Sequence, residues 1–351
     1  MVRDNYISTA KAIGIILMVV GHAISQNFCY RFIYMFHMPL FFFCSGYFYK
    51  VPKSMEEVRC FALKRIKGLY LPYLKWSLLF LLLHNTFCSW NLYGAYVPYY
   101  DSLEYLRRLR SLFFTMTGHE PLICSFWFFK ELLLASILVC VVTFIYRKVK
   151  CKYKDIFGGL VLIVMTIVSK PGEWGIPIIW NVSLLSLSAS FVFAGYMYRK
   201  VEIESFYTFR GLLLSVIIVL AVVWLWNDFL DMLWYGAGSV ILYIPIALVG
   251  IYMVLCVSKL IDRYTIKKLF YYIGKHTLII FVLHMSVFKI VNLMKIWVYE
   301  LSEEKLADSF VIHEHNEFFW FFYAILGIGI PLLLQESWRR LKGFCLKKTK
   351  A

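Results

Sequence analysis

The chain has 351 residues, of which 61% are hydrophobic and 17% are charged, and its mean hydropathy is +0.69. A composition this apolar excludes an ordinary soluble domain of the same length. The net charge of +16 would suit nucleic-acid binding only on a basic soluble face, and the sequence offers no such face. The composition therefore predicts an integral membrane protein.

Apolar runs of about 20 residues, long enough to cross a bilayer, recur along the whole chain. They lack the alternation of strands, so we expect helices, which satisfy their own backbone groups in lipid. We place ten runs, with nine or eleven as alternatives, at roughly 7–26, 31–49, 69–88, 121–146, 156–170, 178–198, 210–227, 235–257, 269–294 and 318–338. The predicted fold is an all-α bundle of about ten transmembrane helices, forming one domain over residues 1–351.

The basic residues predict the orientation of this bundle. Most of the 37 lysines and arginines lie in the N-terminus, in the connections after the second, fourth, sixth and eighth runs, and in the C-terminal tail. The positive-inside rule then places both termini in the cytoplasm and requires an even number of spans. The largest loops, about 89–120 and 295–317, would be external. The first run is too long for a cleavable signal peptide and is expected to be retained.

The nine cysteines are scattered singly, without a CxxC pair or the spacing of metal ligands, so no metal is predicted. Three of them, Cys29, Cys88 and Cys124, would lie near the outer face, where a disulfide could form. We favour the alternative that they are small buried hydrophobic residues.

Histidines within the predicted spans point to a chemical site. Titratable groups inside a membrane normally face the bundle interior and mark a substrate or proton path. At about 1.5 Å of rise per residue, the predicted topology places His22, His37 and His284 together in the outer half of the bilayer. His84 shares that leaflet but is expected near the interface, and His119 is expected in a solvated loop.

Cations occupy the opposite end of the same spans. Lys11, Arg65, Lys67 and Lys275 are expected near the cytoplasmic face, and Lys11 lies on one helical stripe with His22, about three turns away. Cations suit a phosphorylated donor, and an imidazole suits a general base or an acyl carrier. The pattern predicts transfer of a group from a cytoplasmic phosphate-bearing donor to an acceptor that reaches the outer leaflet.

Each candidate has a structural alternative: a hydrogen bond between helices for the histidines, and a role in topology alone for the cations. Lys130 and Glu131 are adjacent, so they cannot share one face of a helix, and at least one of them should face protein. The candidate catalytic residues are His22, His37, His284 and Glu131. The candidate donor-binding residues are Lys11, Arg65, Lys67 and Lys275.

Two segments resemble a known family. KAIGIILMVVGH at 11–22, followed by FHMPLFFFCSGY at 36–47, resembles the membrane acyltransferase 3 family in its fucose 4-O-acetylase-like branch. Weaker matches lie at 64–73, 126–132 and 273–284. The resemblance implies ten spans, acetyl-CoA or another acyl-CoA as donor, and O-acylation of a sugar hydroxyl at the bacterial cytoplasmic membrane. The expected acceptor is a cell-surface polysaccharide or a lipid-linked glycan precursor.

The chain departs from the family pattern at two positions. Lys11 stands where the family commonly has arginine, and it keeps the charge but lacks the bidentate fork. Ser8 stands where an aspartate is often found, so no orienting carboxylate is expected there. The alternative class is a transporter or flippase of a glycan or acylated small molecule. Against that class, the runs show no matching half-repeats broken by Gly or Pro.

Overall fold

The computed structural model describes residues 5–24, 27–94, 96–169, 180–226, 229–233, 240–308 and 310–348, and within these ranges no strand occurs. A π-helical turn (Ile66–Tyr70) and a 3-10 turn (Pro121–Phe126) join or precede α-helices. The α-helices are α1 (Asn5–Ala23), α2 (Phe28–Tyr34), α3 (His37–Tyr47), α4 (Met55–Arg65), α5 (Leu71–Leu82), α6 (His84–Ser89), α7 (Ser102–Phe114), α8 (Trp127–Tyr146), α9 (Lys154–Val168), α10 (Trp180–Val201), α11 (Phe209–Leu225), α12 (Val240–Ile261), α13 (Lys267–Lys275), α14 (Thr277–Tyr299), α15 (Lys305–Asp308) and α16 (Asn316–Lys348).

Every predicted apolar run coincides with at least one helix, so the predicted all-α membrane character is confirmed. In the part of the chain that the structure describes, five segments are long and apolar enough to cross a membrane: Asn5–Ala23, Pro121–Tyr146, Val240–Ile261, Thr277–Tyr299 and Asn316–Lys342. The apolar helix α11 is shorter. Ten spans and cytoplasmic termini stay predictions. We call the end of the bundle at which α1 begins the inner end, and the opposite end the outer end.

The run at 31–49, which we predict as one helix, forms two. The first, α2, ends at Tyr34, and the second, α3, begins at His37. Proline supplies no N–H, and its ring clashes with the carbonyl four residues earlier. Pro39 therefore cannot follow a continuous helix through Met35. At the break, Phe36 adopts φ −140° and ψ −15°. The break places His37 in the first turn of α3, where its side chain faces the end of α2.

The segment 89–120, which we predict to be an external loop, contains a helix at 102–114 that the sequence analysis does not anticipate. This helix is α7, which packs against α5. The Tyr70 hydroxyl donates to the carbonyl oxygen of Phe113 at 2.7 Å. At the other end of the pair, the backbone of Tyr100 and the Asn85 side-chain amide exchange two hydrogen bonds of 2.8 and 3.0 Å. The two helices therefore run antiparallel beside each other.

Two glycines allow α3 and α10 to approach closely. A Cβ on Gly46 would overlap the carbonyl oxygen of Val192, and a Cβ on Gly195 would overlap that of Phe43. Small residues at such crossings let helix backbones come into van der Waals contact within a membrane. The contact holds α3, which carries His37, against the centre of the bundle.

We expect Gly195→Ala to destabilise the protein, because forcing a methyl group into a packed interface typically costs about 1–3 kcal/mol. Thermal unfolding of the purified protein in detergent should therefore show a lower Tm. Gly329→Ala is the matched control, since a Cβ there meets nothing within 4 Å. Alanine also has the higher helix propensity, so the control should unfold at the same or a higher temperature. Equal Tm values for both variants would refute the close contact.

A carboxylate ties the inner ends of several helices together. Glu202 accepts hydrogen bonds from the hydroxyls of Tyr6 at 2.6 Å, Tyr47 at 2.5 Å and Tyr207 at 2.7 Å. Burial raises the pKa of Glu202, but these hydrogen bonds outweigh it and hold the pKa below its ordinary value. The cluster fixes the ends of α1, which carries Lys11 and His22, and of α3, which carries His37.

Candidate active site

Three of the predicted histidines converge near the outer end of α1. The rings of His22 on α1 and His284 on α14 are stacked with centroids 5.4 Å apart. Tyr34, the last residue of α2, lies between His22 and His37. Its hydroxyl oxygen is 3.3 Å from Nδ1 of His22, and its ring centroid is 4.7 Å from that of His37. The structure thus brings together three imidazoles from three separate helices.

Local hydrogen bonds set the tautomers of two of these rings. Nδ1 of His37 lies 2.9 Å from the carbonyl oxygen of Ile33. Nδ1 of His284 lies 2.9 and 3.1 Å from the carbonyl oxygens of Phe281 and Ile280. A ring nitrogen that faces a carbonyl must donate, so Nε2 of each neutral ring carries the lone pair. Nε2 of His284 is buried without a hydrogen-bond partner in the described structure. Both rings are therefore arranged as proton acceptors.

A cavity of about 210 Å³, which we call the histidine cavity, lies beside the rings of His22 and His37. His22, Tyr34 and His37 form one part of its wall. Further polar or aromatic lining comes from the 3-10 turn before α8, from α8 itself and from the segment 229–233, namely Cys124, Ser125, Trp127 and Asp231. The cavity is small and has several hydrogen-bonding groups, so it suits the reacting ends of two substrates.

His22 also lines a second cavity of about 320 Å³, which we call the outer cavity. Tyr34 is shared by the two cavities as well. The remaining aromatic and polar lining residues of the outer cavity are Tyr30, Tyr93, Tyr96, Lys289, Phe310 and His313. Aromatic rings beside hydrogen-bonding groups suit a polar, ring-shaped ligand. The imidazole of His22 thus stands between two spaces that could hold different substrates.

A third cavity of about 250 Å³, the inner cavity, lies on the other side of the histidine cavity. The two share Met18, Met38 and Phe281. Most of the inner cavity is apolar, but Lys11 and Arg65 both line it. This space is a narrow, mostly apolar passage with two cations on its wall.

Arg65 is held in this wall by its neighbours. Its Nη2 donates to the Ser45 hydroxyl at 2.7 Å, and its guanidinium lies 5.2 Å from the ring centroid of Phe61. A fourth, entrance cavity of about 580 Å³ shares Ser45, Phe48 and Arg65 with the inner cavity, and its further lining includes Lys50, Glu57 and Lys64. Four cavities therefore follow one another from the basic segment near α4 to the outer end of α1.

The other predicted site residues lie apart from this series. Lys67 and Lys275 are exposed and line none of the four cavities. Glu131 is buried, as expected for one member of the Lys130–Glu131 pair, and its Oε2 has no hydrogen-bond partner in the described structure. It also lies outside the linings of the four cavities. The cavity series therefore groups His22 and His37 with Lys11 and Arg65, whereas His284 lines no cavity of the series and reaches it through its ring contact with His22.

His84 is fully buried in the protein, and its expected position near the membrane interface stays a prediction. Its Nδ1 is 2.5 Å from a carboxylate oxygen of Glu120, and its Nε2 is 3.0 Å from the carbonyl oxygen of Pro98. Its ring stacks on Tyr100 at 3.3 Å between centroids. Burial raises the pKa of Glu120 above its ordinary value despite the hydrogen bond from His84. The burial follows from α7, which brings the segment before it over α6.

The prediction that His119 is a solvated loop residue holds only in part. Its ring is half-buried and lies 5.7 Å from Tyr73 and 6.3 Å from Phe126, measured between centroids. Burial lowers the pKa of His119 to about 4. The cysteines of the predicted outer face, Cys29, Cys88 and Cys124, are free thiols. Cys29 and Cys124 are exposed and Cys88 is half-buried, so the prediction that the three are buried is wrong.

Sequence reasoning missed Tyr34, Ser125 and Asp231, all of which line the histidine cavity. Ser8 stands where an aspartate is often found in the family, and in this chain Asp231 supplies a carboxylate to the histidine cavity instead. Oδ1 of Asp231 accepts a hydrogen bond from the N–H of Leu233 at 2.8 Å. An acidic residue within an apolar stretch was a signal that could have marked Asp231. Tyr34 and Ser125 carry no such signal, because tyrosine and serine are common in membrane helices and their connections.

The comparison with protein families agrees with this arrangement. The acyltransferase domain of the acyltransferase 3 family matches residues 4–336, which is nearly the whole chain. No curated protein and no solved structure matches the chain. Because the family match covers far more than half of the chain, the chain belongs to the acyltransferase 3 family of membrane acyltransferases.

Proposed function

We propose that the protein is an O-acyltransferase that moves an acyl group, most simply acetyl, from cytoplasmic acyl-CoA to a sugar hydroxyl. The acceptor would be a cell-surface polysaccharide or a lipid-linked glycan precursor. The observation that carries this proposal is the series of four cavities between the basic segment near α4 and the outer cavity. A single imidazole, that of His22, lines both the histidine cavity and the outer cavity.

The donor would enter at the inner end. Its phosphates would lie where the entrance and inner cavities meet, near Arg65, which lines both, and Lys11, which lines the inner cavity. Lys67 and Lys275 would contribute from the exposed surface. Arginine and lysine are the residues that proteins use to bind phosphate groups. The pantetheine arm is slender and would pass through the mostly apolar inner cavity, so that the thioester reaches the histidine cavity past Met18.

The acceptor hydroxyl would approach from the outer cavity. His22 would remove its proton as the oxygen attacks the thioester carbonyl carbon, and the proton would then pass to the sulfur of the departing CoA thiolate. His37 and His284, whose Nδ1 atoms are fixed by carbonyls, would orient and support that ring. Glu131 stays a candidate catalytic residue, although it must act from outside the cavity lining. No metal takes part in this proposal.

We further propose that the bundle has about ten spans with both termini in the cytoplasm, and that it lies in the bacterial cytoplasmic membrane. The positive-inside pattern supports this orientation. It places the cations of the inner cavity at the cytosolic side, where acyl-CoA is found, and the outer cavity near the opposite leaflet. The fucose 4-O-acetylase-like branch, suggested by the segments at 11–22 and 36–47, is the proposed subgroup.

The decisive experiment uses the full-length protein in lipid vesicles, supplied with acetyl-CoA and candidate glycans. Release of free CoA thiol that depends on the glycan, together with an acetylated glycan product, is the expected result. Passage of glycan across the vesicle membrane without release of thiol would instead support the transporter alternative. A glycan-dependent thiol release that is equal in vesicles with no protein would refute the proposal.

A further inference from the structure

One buried hydroxyl beside the histidines has no partner. Ser125 is 8% exposed and lines the histidine cavity, yet its Oγ makes no hydrogen bond in the described structure. Ser77, Ser188 and Ser286 also have buried Oγ atoms without a partner, but they line none of the four cavities. Native proteins rarely leave buried hydroxyls unpaired, and each such group calls for an explanation, a ligand being one.

The backbone explains why Ser125 does not satisfy itself. Two other buried serines donate to the carbonyl four residues earlier: Ser136 to Leu132 at 2.6 Å, and Ser258 to Val254 at 2.7 Å. That bond needs a preceding turn of regular α-helix. Ser125 instead lies within the 3-10 turn Pro121–Phe126, which is interrupted at Ile123, where φ is −126° and ψ is 29°. Its hydroxyl is therefore left for whatever occupies the cavity.

The same wall of the cavity favours negative charge. The 20-residue helix α8 begins at Trp127, which also lines the histidine cavity. The first turn of α8 contains no acidic residue, and no side chain caps it. The N-terminus of a helix carries a partial positive charge and stabilises anions placed close to it. Ser125 thus offers a hydroxyl donor next to a favourable dipole.

The polar groups of the histidine cavity could stabilise positive charge on one side and negative charge on the other. Asp231 is the acidic residue that lines the histidine cavity, and a carboxylate there would stabilise a protonated imidazole, as in other acyl-transfer sites. His22 would take up the proton. Negative charge that develops on the substrate then needs a donor, and Ser125 with the start of α8 supplies one.

We infer that Ser125 is a catalytic residue whose Oγ–H donates to the thioester carbonyl oxygen as that oxygen becomes an oxyanion. This inference rests on the proposed acyl transfer. As the acceptor oxygen bonds to the carbonyl carbon, the π pair moves onto the carbonyl oxygen, and the imidazole takes the hydroxyl proton. The pair then returns, the carbon–sulfur bond breaks, and the proton passes to the CoA thiolate. The Ser125 hydroxyl is strongest as a donor in the intermediate.

Acetyl transfer by the full-length protein in vesicles tests this role, with acetyl-CoA and an acceptor glycan as substrates. Ser125→Ala should lower kcat by about 10²- to 10³-fold, the usual loss for one oxyanion donor. The KM for acetyl-CoA should stay within about twofold, because the hydrogen bond strengthens only in the transition state. Ser125→Thr, which keeps a hydroxyl, should restore part of the rate. The pH profile should keep its inflection, since Ser125 takes up no proton.

Ser136→Ala is the matched control, because that hydroxyl is bonded within α8 and lines no cavity. Its kcat should equal that of the wild type. If the wild type transfers acetyl groups and Ser125→Ala does so at a rate within threefold of it, the inference about Ser125 is overturned and the proposed function stands. A wild type that releases no CoA thiol under any acceptor would overturn the proposed function and the inference with it. A Ser125→Ala loss confined to KM would also overturn the oxyanion role.

Discussion

Replacing His22 with glutamine is expected to lower the rate of acyl transfer by about 10²- to 10⁴-fold, the range that a general base contributes. Glutamine keeps a polar group opposite the Tyr34 hydroxyl, 3.3 Å from Nδ1 of His22 in the native site, but it cannot accept a proton at neutral pH. Because His22 does not line the inner cavity, the affinity for acetyl-CoA should be unchanged. Transfer kinetics and donor binding, measured on the same vesicles, check both halves of the prediction.

His276→Gln is the control for this change. His276 lies between α13 and α14, and its Nδ1 is 2.8 Å from the carbonyl oxygen of Tyr272. It lines none of the four cavities. Its substitution should leave the rate within twofold of wild type, about the precision of such an assay and far below a general base's contribution. A His22→Gln variant with half of the wild-type turnover would contradict the assignment. A larger loss in His37→Gln than in His22→Gln would move the role of base to His37.

The gathering of His22, His37 and His284 could be anticipated from the sequence, because each lies in an apolar run long enough to set its depth. Membrane burial of a titratable group is so unfavourable that it must face protein, and a shared depth then brings such groups together. The same reasoning anticipated that one of Lys130 and Glu131 would be buried. The free-energy cost of exposing a titratable group to lipid is enough to predict both the grouping of the histidines and the burial of one member of the Lys130–Glu131 pair.

The polar lining of the histidine cavity could not be anticipated in the same way. Ser125 and Asp231 come from segments outside regular α-helix, where neither hydrophobic periodicity nor depth fixes the direction of a side chain. Lys67 illustrates the opposite failure: it is basic and close to Arg65 in sequence, yet it faces away from the cavities. Two residues of separation on a helix give a rotation of about 200°, so only one of the pair can line the passage.

The helix breaks were visible only in part. Pro39 marked a distortion in the run at 31–49, but its effect appears four residues earlier, because the ring clashes with the carbonyl at that distance. The helix α7 was hidden by its three arginines, Arg107, Arg108 and Arg110, which suggested a solvated loop. Its pairing with α5 is a long-range contact that no local pattern records.

Neutralising both cations of the inner cavity should weaken donor binding strongly. We expect the double variant Lys11→Gln, Arg65→Gln to raise the Kd for acetyl-CoA by about 10- to 100-fold, since a hydrogen bond to a charged group contributes about 1.5–3 kcal/mol. The Ser45 hydroxyl, which Arg65 contacts at 2.7 Å, would remain to bind glutamine, which favours a folded variant. Turnover at saturating donor should change far less than Kd, because these residues lie away from the reacting carbon.

Lys67→Gln with Lys275→Gln is the matched comparison, since it removes the same charge from exposed positions. Exposed charges are screened by water and salt and contribute about 1 kcal/mol or less, so the loss in affinity should be below about fivefold. Raising the salt concentration should weaken binding to the wild type and shrink its advantage over the Lys11–Arg65 variant. Equal losses in the two double variants would mean that the inner cavity does not hold the donor phosphates. Unchanged affinity for acetyl-CoA in both double variants would mean that all four cations affect only the topology. The proposed binding of the donor at the entrance to the cavity series would then be wrong.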